Sequence, residues 1–109
     1  MEIIRKSVRL SYDDIPEVLQ NPLLLFNCKE VGSRIINLSP LGAGLLIDKH
    51  SKLDKGDIFY LKYSELDLEI KCICVFSDAD GEKRSIGGYF TEADDKKLIL
   101  KFLHTKNSD

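Results

Sequence analysis

The sequence predicts an all-β domain with a C-terminal helix: a six-stranded antiparallel β-barrel, entered through a short N-terminal helix. Three observations carry that expectation. Residues 66–76 alternate, with Leu66, Leu68, Ile70, Cys72, Cys74 and Phe76 on one face and Asp67, Glu69 and Lys71 on the other, which is the period of a half-buried strand. Turn residues separate short apolar runs throughout 23–90, among them Ser39-Pro40, Lys55-Gly56 and Asp80-Gly81, as in barrels and sandwiches. After Phe90 the period changes to that of a helix, with Leu98, Ile99, Phe102 and Leu103 on one stripe and lysines on the rest.

Each element has its own warrant. Residues 1–11 form a short basic segment, with Arg5, Lys6 and Arg9 against Glu2. Residues 12–20 read as a brief helix: an Asp caps it, Pro16 falls in its first turn, and Asn21-Pro22 ends it. Residues 23–28 are the first strand and 30–33 a turn. Residues 34–38 and 43–48 are two arms around a tight polar connection, and 57–63 follow Lys55-Gly56. Asp80-Gly81 is a hairpin signal leading into 84–90. Thr91-Glu92-Ala93-Asp94 has the pattern of a cap that starts the helix over 91–105, and closing a barrel removes its exposed edges. The chain of 109 residues reads as one domain, with 23–90 as barrel.

Composition narrows the function classes. A net charge of −2 speaks against a general nucleic-acid binder, which carries a basic excess. No apolar run reaches the roughly 18 residues that span a bilayer, so no membrane insertion is expected. Three cysteines without metal-type spacing point to reduced thiols and a cytoplasmic location. Cys72 and Cys74 read as core residues, and His50 and His104 as solvated or helix-terminal. No nucleophile–base–acid order stands out, so the chain is not expected to be an enzyme, and no cofactor or metal is expected.

The connection Asn37-Leu38-Ser39-Pro40-Leu41-Gly42 is the most informative segment. Asn37 and Ser39 are two apart, so an extended chain puts both short polar side chains on one face. Pro40 favours extended geometry at Ser39. Gly42 suits a left-handed or crowded backbone position and leaves room for an approaching ligand. An ordinary hairpin turn uses the same residue types.

Asn37-x-Ser39-x-x-Gly42-Ala43 resembles the D/N-x-S-x-x-G signature of PilZ domains, and Arg5-Lys6-Ser7-Val8-Arg9 resembles their R-x-x-x-R. Residues 53–57 and Ile86-Gly87-Gly88-Tyr89-Phe90 are similar to later parts of the same pattern. The resemblance implies a PilZ-like six-stranded barrel that binds cyclic di-GMP through Arg5, Arg9, Asn37, Ser39 and Gly42. It also implies a regulatory receptor acting on an unidentified protein partner in motility, secretion or polysaccharide synthesis. A nucleotide-independent adaptor of the same fold is the alternative. The ligand chemistry suits arginine: guanidinium forks onto a phosphodiester or onto guanine O6 and N7 with two parallel hydrogen bonds.

Overall fold

A computed structural model describes residues 9–107. Eight antiparallel strands form one sheet: β1 (Leu10–Ser11), β2 (Leu23–Phe26), β3 (Lys29–Val31), β4 (Ser33–Leu38), β5 (Gly42–Asp48), β6 (Ile58–Tyr63), β7 (Leu68–Asp80) and β8 (Lys83–Phe90). Their order across the sheet is β1-β4-β5-β8-β7-β6-β2-β3. A single α-helix, α1 (Ala93–Asn107), follows.

The mostly-β architecture and the C-terminal helix agree with the sequence; a closed six-stranded barrel does not. The described sheet is open, because β1 pairs only with β4 and β3 only with β2. The two edge strands are two and three residues long. The chain nonetheless passes from β3 to β4 through Gly32 alone. Buried residues from β2, β4, β5, β6, β7 and β8 belong to one cluster, including Leu24, Ile35, Leu45, Phe59, Ile70 and Ile86. Twisted strands that share one core must curl around it.

The expected N-terminal helix is instead two 3-10 turns, Tyr12–Asp14 and Glu17–Leu19. Pro16 is the cause. It disfavours helical geometry at the residue before it, and Ile15 is extended at φ −73°, ψ 135°. The interruption lets both Ile15 and Leu19 point into the core, where each is fully buried. Gln20 Nε2 ties the two turns together by donating to the carbonyls of Tyr12 and Ile15 at 3.2 and 3.1 Å. The Tyr63 hydroxyl donates to the Leu19 carbonyl at 2.8 Å.

The first hairpin also differs from expectation. The expected strand over 23–28 stops at Phe26, and Asn27 and Cys28 both have positive φ, at 55° and 65°. That is the backbone of a two-residue type I′ connection. Cys28 hides this signal because glycine is the usual second residue. Phe26 then pairs with Lys29, and of the turn expected over 30–33 only Gly32 lies outside a strand. At the other hairpin, β7 and β8 join through Gly81-Glu82, and the positive φ falls on Gly81.

Strand β7 departs from simple alternation part-way along its length. Ile70, Cys72 and Cys74 are buried as the alternation predicts. Register against β8 then shifts, with Cys74 opposite Gly88 but Phe76 opposite Gly87. Val75 is the extra residue of a bulge, and a bulge reverses the faces beyond it. Phe76 therefore points outward and is 48% exposed, whereas simple alternation would have placed it in the core. The Cys74 thiol donates to the Phe76 carbonyl at 3.3 Å across the bulge. Beyond it, Arg84 closes one end of the core. Its guanidinium donates to Ser77 Oγ at 2.6 Å, to the carbonyl of Ser51 at 2.7 Å and to that of Leu53.

Helix α1 buries Ile99 and Leu103 in the same core, with Phe102 packed against its edge. The Thr91 hydroxyl bonds the neighbouring Glu92 carboxylate at 3.2 Å. The Glu92 carbonyl accepts from the amides of Asp95 and Lys96, which opens the first turn.

Candidate functional site

A second bulge lies in β4. Ile35 is opposite Leu45, Asn37 opposite Gly44 and Leu38 opposite Ala43, so Ile36 is the extra residue. Ile35 and Leu38 are buried, while Asn37 takes the outer face opposite Gly44. The two bulges together define one register row across four strands: Asn37 on β4, Gly44 on β5, Gly87 on β8 and Phe76 on β7. The row has side chains at its ends and none in the middle.

Both end residues lean over the adjacent glycine. A Cβ on Gly44 would lie 2.9 Å from both Nδ2 and Oδ1 of Asn37. A Cβ on Gly87 would lie 2.4 Å from Cε2 of the Phe76 ring. An amide and an aromatic ring thus occupy the space above two glycines whose strands are about 4.8 Å apart. Above them is a cavity of about 430 Å³, lined also by Arg9, Ser39, Gly42 and Tyr89. That is within the range of small-ligand sites.

Arg9 reaches this surface because β1 registers directly on β4. Leu10 is opposite Leu38 and Ser11 opposite Asn37. Arg9 Nη1 donates to Asn37 Oδ1 at 2.5 Å, using one of the five N–H donors a guanidinium carries. Among the described residues lining the cavity, Arg9 is the one charged side chain and no carboxylate is present. Lys96 of α1 stands just outside, with Nζ 5.7 Å from the Tyr89 ring centroid. The charged side chains recorded in and beside the cavity, Arg9 and Lys96, are thus both cations, although the chain as a whole is slightly acidic.

Four of the five residues singled out in the sequence, Arg9, Asn37, Ser39 and Gly42, line this one cavity. Arg5 lies outside the described residues. Asn37 and Ser39 do not share a face by strand alternation, because β4 ends at Leu38. Ser39 is only 7% exposed, and its hydroxyl oxygen accepts from the amides of Leu41 and Gly42 at 3.2 and 3.3 Å. It builds the turn. Gly42 does not have the left-handed backbone, since the positive-φ glycines are Gly56 and Gly81. It is instead crowded: a Cβ there would lie 2.1 Å from the carbonyl oxygen of Gly88.

Phe76, Tyr89, Gly44 and Gly87 were not anticipated as parts of a site. The signal was the glycine spacing, since Gly42-x-Gly44 on one strand and Gly87 on its partner strip side chains from one outer patch. Finding it required the register of β5 against β8, which are separated by two intervening strands in sequence.

The cysteines do not contribute. Cys72 and Cys74 are buried and Cys28 is exposed. Burial pushes the Cys72 thiol well above its ordinary range, reinforced by the Asp95 carboxylate. Burial likewise raises Tyr63, reinforced by Cys72. The unfolded chain ionises these groups first, so stability is full below the ordinary thiol value of 9.0 and falls as pH rises beyond it. The urea midpoint should be level near neutrality and fall above about pH 9. A midpoint unchanged through about pH 10 would contradict that coupling. Among the described residues, no group of three His, Cys, Asp or Glu side chains converges as a metal site. No helix among them is long and apolar enough to cross a membrane.

No protein-family model matches this chain, and no curated protein matches it.

Proposed function

We propose that this chain is a cyclic di-GMP receptor domain of the PilZ type, with the ligand seated in the cavity beside Arg9 and Asn37. The observation that carries the proposal is the contact between those two side chains. They are 28 positions apart and belong to the two motifs that resemble the family signature. They meet at a cavity with no lining carboxylate among the described residues. A dianionic dinucleotide needs a guanidinium fork for phosphate or guanine, a polar amide for a base edge, and space for flat rings. The open sheet is compatible with the six-strand arrangement of that family if β3 and β4 are read as one strand bent at Gly32 and β1 as an added edge.

In this proposal Arg5 joins Arg9 on the ligand, while Ser39 and Gly42 shape the turn that holds Asn37 in place. Ligand contacts made in one state only would shift the domain toward that state. The altered surface would then act on a cytoplasmic protein partner in motility, secretion or polysaccharide synthesis. Calorimetric titration with cyclic di-GMP should give saturable heat, and amide shifts should concentrate at Asn37, Gly44 and Gly87. Arg9→Ala should weaken binding by about 2–4 kcal/mol, the scale of a lost charge-assisted bidentate contact. The absence of both heat and shifts in the wild-type chain would refute the receptor reading.

A nucleotide-independent adaptor is the second reading, favoured by the apolar exposure beside the cavity. Ile58, Ile73 and Tyr89 are successive partners across β6, β7 and β8, and Ile58, Val75 and Tyr89 are substantially exposed. A protein partner retained equally with and without nucleotide would select it.

A further inference from the structure

We infer that Phe76 is the base-stacking residue of this cavity, so that its ligand is a nucleotide held by ring as well as by charge. The inference rests on the receptor reading for the identity of the dinucleotide, but its own grounds are separate. A phenylalanine at the end of an alternating apolar strand belongs in the core. Here the Val75 bulge turns it outward, and bulges commonly re-aim a side chain beside a functional site. Gly87 then gives the ring space that any other residue would fill. Two independent local features, an inserted residue and a glycine on the neighbouring strand, therefore present one aromatic ring to solvent at 48% exposure.

The register row supplies the rest of a nucleotide's requirements. Phe76 offers a π-face, Asn37 an amide with both donor and acceptor, and Arg9 a charge, in that spatial order. Tyr89 is the other exposed aromatic lining the cavity, but Lys96 already stands over its ring. A bare phosphate would use Arg9 and leave Phe76 idle, whereas an aliphatic ligand would leave Arg9 and Asn37 unpaired. A base stacked on Phe76 with its phosphates toward Arg9 uses all three. Stacking tolerates any base, so the choice among bases falls to Asn37 and Arg9.

The chain contains no tryptophan, so Phe76→Trp introduces a single indole whose emission a stacked purine quenches. Titration with cyclic di-GMP should quench that emission saturably, and GMP should do so more weakly. Ribose 5-phosphate, which has no base, should not. Phe76→Leu should weaken cyclic di-GMP binding roughly 10- to 100-fold by calorimetry, with an unchanged melting temperature. If Arg9→Ala abolishes binding while Phe76→Leu binds as wild type does, the stacking role falls and the receptor reading stands. If cyclic di-GMP fails to bind the wild type but GMP quenches the indole saturably, the receptor reading falls and the stacking role stands. No saturable quenching by either nucleotide overturns the stacking role outright.

Discussion

A chain ending at Phe90 should fail to fold cooperatively, because helix α1 supplies part of the only core the described residues contain. Ile99 and Leu103 are fully buried among residues of the sheet, and each is worth about 1.5–3 kcal/mol of apolar burial. Their removal also uncovers the sheet residues against which they pack. Domains of this kind hold only about 5–15 kcal/mol of net stability, so the combined loss consumes most of it. The helix is also anchored at its start: the Thr91 amide donates to the Lys71 carbonyl at 3.1 Å. Urea melts of the full chain, of residues 1–90 and of Leu103→Ala form a graded series. Leu103→Ala should cost about 2–5 kcal/mol, and the truncated chain should show no cooperative transition or should aggregate. A soluble 1–90 fragment melting as sharply as the full chain would show that the curled sheet is self-sufficient.

The parts of the fold that were legible in the sequence are those in which one local signal dominates. The helix period after Phe90, the alternation from Leu68 to Cys74 and the Gly81 hairpin each depend on neighbours in the chain. The failures arose where a single residue changes the count. Pro16 looked like a first-turn residue but divides 12–20 into two 3-10 turns. Cys28 took a left-handed position without announcing it, which concealed β3. Ile36 and Val75 are ordinary strand residues by composition, and nothing in their identity marks them as the extra residues of bulges. A bulge is a property of a pair of strands, and a single strand read alone cannot display it.

The same distinction governs the site. Arg9, Asn37, Ser39 and Gly42 came together in one cavity, yet two of them play different parts from those their spacing suggested. Ser39 is committed to its own turn, and Gly42 yields to a backbone carbonyl instead of a ligand. The aromatic wall was invisible because Phe76 continued an apolar alternation that the bulge then broke. Motif spacing located the cavity, whereas strand register determined which atoms face it.

That division predicts opposite outcomes for two glycine substitutions. Gly42→Ala should destabilise the fold by about 3 kcal/mol or more, the upper range for overpacking that moves backbone. Its Cβ would lie 2.1 Å from the Gly88 carbonyl oxygen. Neither atom can yield without parting β5 from β8, where Gly42 pairs with Tyr89 and Ala43 with Gly88. The strain also reaches the turn, because the Ser39 amide donates to the Gly42 carbonyl at 2.9 Å. Gly87→Ala is just as crowded on paper, but its obstacle is the ring of Phe76, a half-exposed side chain that can swing away. It should cost less than about 1 kcal/mol, as surface substitutions usually do, while displacing the ring from the cavity floor. Urea denaturation of both variants checks the contrast directly. If Gly42→Ala were as stable as wild type and lost only ligand binding, Gly42 would be a contact residue after all. If Gly87→Ala were the more damaging of the two, Phe76 would be a packing residue, and its outward turn would need a structural reason.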